Sequence, residues 1–360
     1  MRYRLSIPLL IHWVDRRRVD TRISDLDRKG DAVSGTTISR ILVTGSEGQI
    51  GSELTLELRR RYGAENVVAS DIRNDPKTSE GELDGPYEIL DVSDAAAWRE
   101  VCRKHDIDTV VHMAAILSAT GEKNPMLAWQ VNIDGLINAL ETARELELSQ
   151  VLCPSSIAVF GPGCPRENTP QETTLKPTTM YGVTKVCGEL LCDYYVHRFG
   201  VDARGLRYPG IISSETLPGG GTTDYAVDIY YKAIEEGCYT CFVREDTRLP
   251  MMYMPDCIKG TIGLLEADFH RLQHHGDFNI GSMSFTVGEL AASIRRHIPD
   301  FKVTYAPDGR QAIADSWPAS LDDSAARAEW GWEPSFDLDS MTADMLERLA
   351  KRHAEGKLYR

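Results

Sequence analysis

A tyrosine and a lysine four residues apart, Tyr181 and Lys185 in the run YGVTK, follow the serine pair Ser155-Ser156 by about 25 residues. Residues at i and i+4 share a helix face, so the phenol and the ammonium can act on the same substrate atom. A phenol titrates near pH ~10, and a neighbouring cation favours its ionised form, which makes Tyr181 a candidate general base. Lys185 and a cationic nicotinamide would supply that charge, and Lys185 can also hold cofactor ribose hydroxyls. Ser156 supplies a hydroxyl that orients a substrate oxygen and stabilises the charge developing on it. The chemistry such a set suits is removal of a proton from an alcohol while hydride leaves the carbon that bears it. The Tyr/Lys spacing alone is also common on solvated helix faces.

Hydride needs an acceptor, and the sequence offers a place for one. The β-rich run at 41–44 enters GSEGQIG, residues 45–51, and then a helical stretch beginning with Glu53-Leu54. Gly45 permits a tight turn, Gly48 lets the backbone approach a pyrophosphate, and Gly51 lets the helix pack on the strand. Gln49 and Ile50 open that helix, whose N-terminal N–H groups favour an anion. Twenty residues beyond Gly51, Asp71 ends the second strand, where an acidic group meets the adenosine ribose hydroxyls. Its carboxylate would repel the extra phosphate of NADP, so NAD is the expected cofactor, although Arg73 is placed to accommodate a 2′-phosphate. Asp91 and Val92 follow the third strand where an adenine ring would lie, and Asp91 reads alternatively as a helix cap. His112-Met113-Ala114-Ala115 ends the fourth strand with small residues, Ala114 and Ala115, that let a dinucleotide lie close.

The elements that must position these residues alternate as βαβ units, the pattern of an α/β fold with a doubly wound parallel sheet of the Rossmann type. Strands are predicted at 41–44, 67–70, 88–90, 109–113, 151–154 and 203–207, and helices from Gln49, Asp94, Pro125 and Thr179. Beyond Tyr208 the pattern is less regular. It holds the run Gly219-Gly220-Gly221, helices near 223–235, 255–265 and 287–297, short strands near 239–243, 249–253, 278–280 and 303–305, and a last helix from about Leu338. Residues 41–212 are therefore read mainly as a dinucleotide-binding domain and 213–360 mainly as a smaller substrate lobe, with the chain crossing between them.

Charge separates a third region. The chain of 360 residues has a formal net charge of −14, which argues against general binding to a nucleic-acid backbone. Residues 1–40 alone carry nine Lys/Arg against five Asp. Arg-rich composition suits a mitochondrial targeting segment, which would place the protein in the matrix. The five Asp do not suit one, and the alternative is a poorly ordered extension on a cytoplasmic protein. No apolar run approaches the length of a membrane span. The eight cysteines are scattered and read as reduced thiols. Cys238-Tyr-Thr-Cys241 lacks the second pair of a zinc site and reads as a strand, so no metal is expected. His274-His275 reads as a solvated loop.

Taken together, TGSEGQIG, HMAA, Val131-Asn132, SSIAVFG at 155–161, YGVTK and RYPGI at 207–211 resemble the extended short-chain dehydrogenase/reductases over about residues 40–350. Within that family the chain resembles the short-chain type of L-threonine 3-dehydrogenases, through AAILSATGE at 114–122, RYPGIIS at 207–213, PGGGTTDYAVDIY at 218–230, LPMMYMPDC at 249–257 and ADSWPASLDD at 314–323. The resemblance implies oxidation of the L-threonine 3-hydroxyl with NAD. It adds Asn132 to the cofactor site and borders the nicotinamide with Tyr208, Pro209 and Ile211. Ser118 and Thr223, with Thr222 and Trp317, would surround the amino acid, and the glycine run would be a hinge or merely a connector. It also implies a homodimer through the helices near 125–146 and 179–199. A nucleotide-sugar epimerase or dehydratase uses the same glycine turn and Ser/Tyr/Lys set, with Arg244, Arg248 and Arg310 available to grip a diphosphate. A protein that senses NAD without chemistry is a third reading.

Overall fold

A computed structural model describes residues 38–74, 84–217, 219 and 221–358. The predicted targeting segment lies outside them up to residue 37. Residues 38–40 belong to the fold instead: Ile38 packs on the core, and the N–H groups of Ser39 and Arg40 donate to the Asp108 carboxylate at 3.1 and 2.9 Å.

The strands are β1 (Ile41–Thr44), β2 (Val67–Asp71), β3 (Tyr87–Ile89), β4 (Thr109–His112), β5 (Gln150–Leu152), β6 (Ser155–Ser156), β7 (Ala203–Arg204), β8 (Leu206–Tyr208), β9 (Gly210–Ile212), β10 (Cys238–Cys241), β11 (Arg248–Tyr253), β12 (Phe278–Asn279), β13 (Met283–Thr286) and β14 (Lys302–Tyr305). The helices are α1 (Gln49–Tyr62), α2 (Ala95–Lys104), α3 (Ser118–Lys123), α4 (Pro125–Trp129), α5 (Gly135–Leu146), α6 (Met180–Phe199), α7 (Tyr225–Glu235), α8 (Met254–Leu265), α9 (Val287–Arg295), α10 (Arg310–Ser316), α11 (Ser324–Trp330) and α12 (Leu338–Ala354).

The main sheet runs β3-β2-β1-β4-β5-β7, parallel throughout. Its central strands are apolar and buried on both faces, as parallel strands covered by helices must be. Strand order reverses between β1 and β4, and open α/β sheets bind ligands in the crevice beyond the carboxyl ends of the strands at such a point. Thr44 Oγ1 and His112 Nδ1, hydrogen-bonded at 2.8 Å, join those two strand ends.

The predicted strand over 203–207 is two strands in different sheets. Gly205 breaks it, because a Cβ there would stand 2.4 Å from the Gly276 carbonyl oxygen and 2.5 Å from that of Cys153. β8 then pairs with β6 and β12, and β9 pairs with β11, which also carries β13. The first half of the chain thus reaches into sheets completed by the second half, and both belong to one compact unit. β10 pairs with β14, which places Cys238 exposed and Cys241 buried. His274 is not a solvated loop residue, since its Nδ1 lies 2.5 Å from Glu329 Oε1 and it edges Phe278. Among the described residues no helix is long and apolar enough to cross a membrane, and no group of three or more His, Cys, Asp or Glu is placed to hold a metal ion.

Candidate active site

The end of β1 turns at Gly45 with φ +67°, in the left-handed region that glycine alone adopts freely. A Cβ there would lie 2.6 Å from the Ala114 nitrogen, and one on Gly51 would lie 2.1 Å from the Gly45 oxygen. The two glycines therefore bring β1, α1 and the end of β4 into contact. Gly48 caps α1 without any side-chain hydrogen bond, and no acidic residue stands in its first turn. Its N-terminal N–H groups are left to a ligand. Ser46 Oγ and Gln49 Nε2 are buried polar atoms with no partner among the described residues. A glycine cradle, an unspent helix N-terminus and two orphaned polar atoms fit a dinucleotide pyrophosphate. Asp71 lies beside this turn: its carboxylate accepts the N–H groups of Glu47 (3.3 Å) and Arg73 (3.2 Å). Arg73 is drawn back over the turn, donating to the Glu47 carbonyl at 2.7 Å.

From the glycine turn a cavity of about 220 Å³ opens towards Ser156, Tyr181 and Lys185. Gly45, Gly48, Gln49, Ile50, Gly51, Ala115, Ser118, Ser156, Tyr181, Lys185, Tyr208, Pro209, Ile211, Thr222, Thr223 and Trp317 all line it. Local sequence explains how Tyr181 and Ser156 meet. Thr179 caps α6 by accepting the Gly182 N–H at 3.1 Å, which fixes where the helix starts. A Cβ on Gly182 would fall 2.2 Å from the Ala158 carbonyl oxygen, so the helix start lies directly on the turn that follows β6. The Ser156 hydroxyl caps that turn by accepting the Ala158 N–H at 3.2 Å and lies near enough to the Tyr181 phenol to favour its ionised form.

Burial dominates the electrostatics of Tyr181 and Lys185 in the chain alone. Burial pushes the Tyr181 phenol up to about 12, opposed by the nearby Ser156 hydroxyl, and pushes the Lys185 ammonium down to about 8. Lys185 does not point at the phenolic oxygen: its Nζ donates to the Pro154 carbonyl at 2.7 Å and lies 5.5 Å from the centre of the Tyr181 ring. In the protein alone, desolvation dominates and favours the neutral phenol of Tyr181.

The other predicted residues lie outside this cavity. Ala114 and Asn132 border a smaller one behind Lys185. Asn132 is spent on the chain: it accepts the Ile116 N–H at 2.7 Å and donates to the Ile116 carbonyl and Thr184 Oγ1, both at 3.1 Å. It stands in a π turn, Gln130–Asp134, and ties the segment after β4 to the catalytic helix. Asp91 accepts the N–H of Ser93 at 2.9 Å, while the cap of α2 is Asp94. Val92 is buried, and its carbonyl accepts from Trp98 and Asn138. Of the glycine run, Gly219 and Gly221 line the cavity, and Gly220 lies outside the described residues.

Sequence reasoning missed a buried ion pair beneath the site. Glu189, one turn beyond Lys185 on α6, accepts from Nε and Nη2 of Arg207 at 2.8 Å each and from Ser155 Oγ at 2.5 Å. Arg207 donates further to the Gln171 carbonyl and Asn279 Oδ1. Because Ser155 pairs with Arg207 and Ser156 with Tyr208 across β6 and β8, this pair fixes the serine strand to the catalytic helix. The i+4 step from Lys185 to Glu189 was the available signal.

A family model described as the NAD dependent epimerase/dehydratase family matches residues 41–281. An uncharacterized epimerase/dehydratase of Staphylococcus saprophyticus is 51% identical over 322 residues, 89% of this chain and 100% of the relative. The solved L-threonine dehydrogenase from Clostridium difficile is 52% identical, with TM-score 0.85 over 88% of this chain and 98% of that one. A monomeric L-threonine 3-dehydrogenase from a metagenome, solved in its apo form, is 48% identical, with TM-score 0.83 over 86% of this chain and 99% of that one.

Proposed function

Because the chain belongs to the NAD-dependent epimerase/dehydratase family, we propose that it oxidises the 3-hydroxyl of L-threonine to 2-amino-3-ketobutyrate. The observation that carries this reading is the composition of the cavity. Among the described residues Lys185 is its only cationic side chain, and Ser118, Thr222, Thr223 and Trp317 leave room for a small zwitterion held by hydroxyls and backbone groups. The arginines that a nucleotide diphosphate would need are paired elsewhere. Arg244 is bound to Asp315, Arg248 to Glu289, and Arg310 to Asp308 while lying over the Phe242 ring. Similarity to two enzymes named for L-threonine points the same way.

NAD, when bound, accepts the hydride from C3 of the substrate. Tyr181 accepts the hydroxyl proton, and Ser156 donates to the reacting oxygen and to the charge that gathers on it. Lys185 keeps a positive charge beside the phenol and holds its place through Pro154. The test is NADH formation by purified protein with NAD and, separately, L-threonine, D-threonine, L-serine and UDP-glucose. Absorbance is expected to rise with L-threonine alone; NAD binding with silence across the panel would overturn the reading.

The partner we propose for the apolar surface of the catalytic helices is a second copy of this chain. Met126, Leu127, Trp129, Val183, Leu190 and Tyr194 are large, apolar or aromatic, and exposed on and beside α4 and α6. Light scattering is expected to give the mass of a dimer, with Leu190→Arg shifting it to a monomer. Since one relative is named as monomeric, a monomeric wild-type protein is the result that would end this proposal.

A further inference from the structure

The mechanism uses neither Glu53 nor the wide groove beside it. That groove, of about 1150 Å³, is lined largely by charges already paired with one another, Arg60 with Glu57 and Arg61 with Glu266. Glu53 is different. It lies two residues beyond Gly51 on α1, half-buried where that helix meets the chain leaving β9. Its Oε1 accepts from Ser213 Oγ at 2.5 Å and Thr216 Oγ1 at 3.3 Å. Ser213 Oγ itself accepts the N–H groups of Glu215 (3.0 Å) and Thr216 (3.1 Å), so the carboxyl completes a serine-capped turn. From the other side Arg352 of α12 donates to the carbonyls of Ser214 and Glu215 at 2.9 and 3.1 Å.

Keeping a carboxyl here costs stability. Burial drives its pKa from 4.5 up to about 7, with Glu215 adding to the rise and Arg348 and the two hydroxyls opposing it. A carboxyl whose folded pKa is raised binds protons more tightly in the folded state, so it destabilises the fold increasingly as pH climbs from 4.5 towards 7. An apolar side chain would avoid that cost, and the carboxyl is explained by what it holds.

Ser213 directly follows β9. Ile211 of that strand is part of the cavity wall, and a Cβ on Gly210 would lie 2.8 Å from Thr223 Cγ2, which places Thr223 hard against the strand. One carboxyl and one hydroxyl therefore separate the cofactor-cradling helix from the strand that backs both Ile211 and Thr223. We infer that Glu53 is a positioning residue that ties the end of β9 to α1, setting the substrate wall of the cavity against the bound cofactor. The inference rests on the proposed amino-acid oxidation only for the identity of the substrate.

The test compares wild type, Glu53→Ala and Glu53→Gln by steady-state kinetics, by fluorescence titration of NAD without substrate, and by amide hydrogen exchange. Glu53→Ala is expected to raise KM for L-threonine about five-fold or more, with kcat and the NAD Kd within about two-fold of wild type. Exchange should quicken over residues 206–217 and not over 180–199. Glu53→Gln keeps an acceptor for both hydroxyls and should restore KM. An unchanged KM or unchanged exchange over 206–217 in Glu53→Ala overturns the inference. So does a uniform loss in KM, kcat, NAD affinity and exchange protection, which is general destabilisation. If wild type does not oxidise L-threonine, the proposed function has failed, and the exchange comparison still decides whether Glu53 fastens the strand.

Discussion

Tyr181→Phe is expected to lower kcat by about 10²- to 10⁴-fold, the range for a positioned acid–base group, while NAD binds as in wild type. The substitution removes one oxygen and leaves what surrounds it. The ring still packs against the core of the substrate side, and Lys185 still donates to Pro154. Ser156 keeps its contact with the Ala158 N–H. Losing the hydroxyl should cost no more than about 1 kcal/mol of stability, so a large fall in rate cannot be assigned to unfolding. A second signature comes from the phenol itself. Burial holds it up to about 12, and the base must be deprotonated to act, so the wild-type rate should climb with pH through the alkaline range. The residual rate of Tyr181→Phe should lose that climb. NADH formation across pH, beside NAD titration of both proteins, measures both effects. A variant retaining more than about a tenth of wild-type kcat would mean that another group takes the proton.

How far the sequence reaches follows from which constraints are local. The glycine turn, the cap at Thr179 and the buried runs of the main sheet are legible because each is dictated within a few residues. The catalytic set is legible for the same reason, as two side chains one helical turn apart. What the sequence conceals is set by approach from a distance. Gly182 looks like any helix glycine until the Ala158 carbonyl is seen against it. Gly205 looks tolerable in a strand until the Cys153 and Gly276 carbonyls exclude a side chain. β6, β9 and β12 are two or three residues long and exist only because a partner strand completes them. Asn132 carries a motif but spends its amide on Ile116 and Thr184, and only the fold reveals that its work is to hold a loop. Burial likewise raises the Tyr181 phenol in the chain alone, which no local motif reveals, because desolvation depends on everything packed around it.

Arg207→Leu is expected to destabilise the protein by about 3–5 kcal/mol, the cost of leaving a buried charge unpaired. Glu189 is almost wholly enclosed, and even with Arg207 in place burial keeps its pKa above the usual carboxylate range. Without the guanidinium that rise can only grow. A raised carboxyl pKa gives stability that is present at low pH and lost as pH increases, so the deficit of Arg207→Leu should be smaller near pH 5 than near pH 8. Urea unfolding at the two values measures it, and a deficit independent of pH would mean that Glu189 does not carry the penalty. The double variant Arg207→Leu with Glu189→Leu removes both charges, and much of the stability should return, since buried ion pairs are often replaceable by apolar residues. Activity should not return with it. Ser155 loses its acceptor, Gln171 and Asn279 lose their donor, and the strand carrying Ser156 is no longer fastened to the helix carrying Tyr181. Recovery of stability without recovery of kcat would separate what the ion pair does for the fold from what it does for the alignment of Ser156 with Tyr181. Recovery of both would reduce it to a packing element.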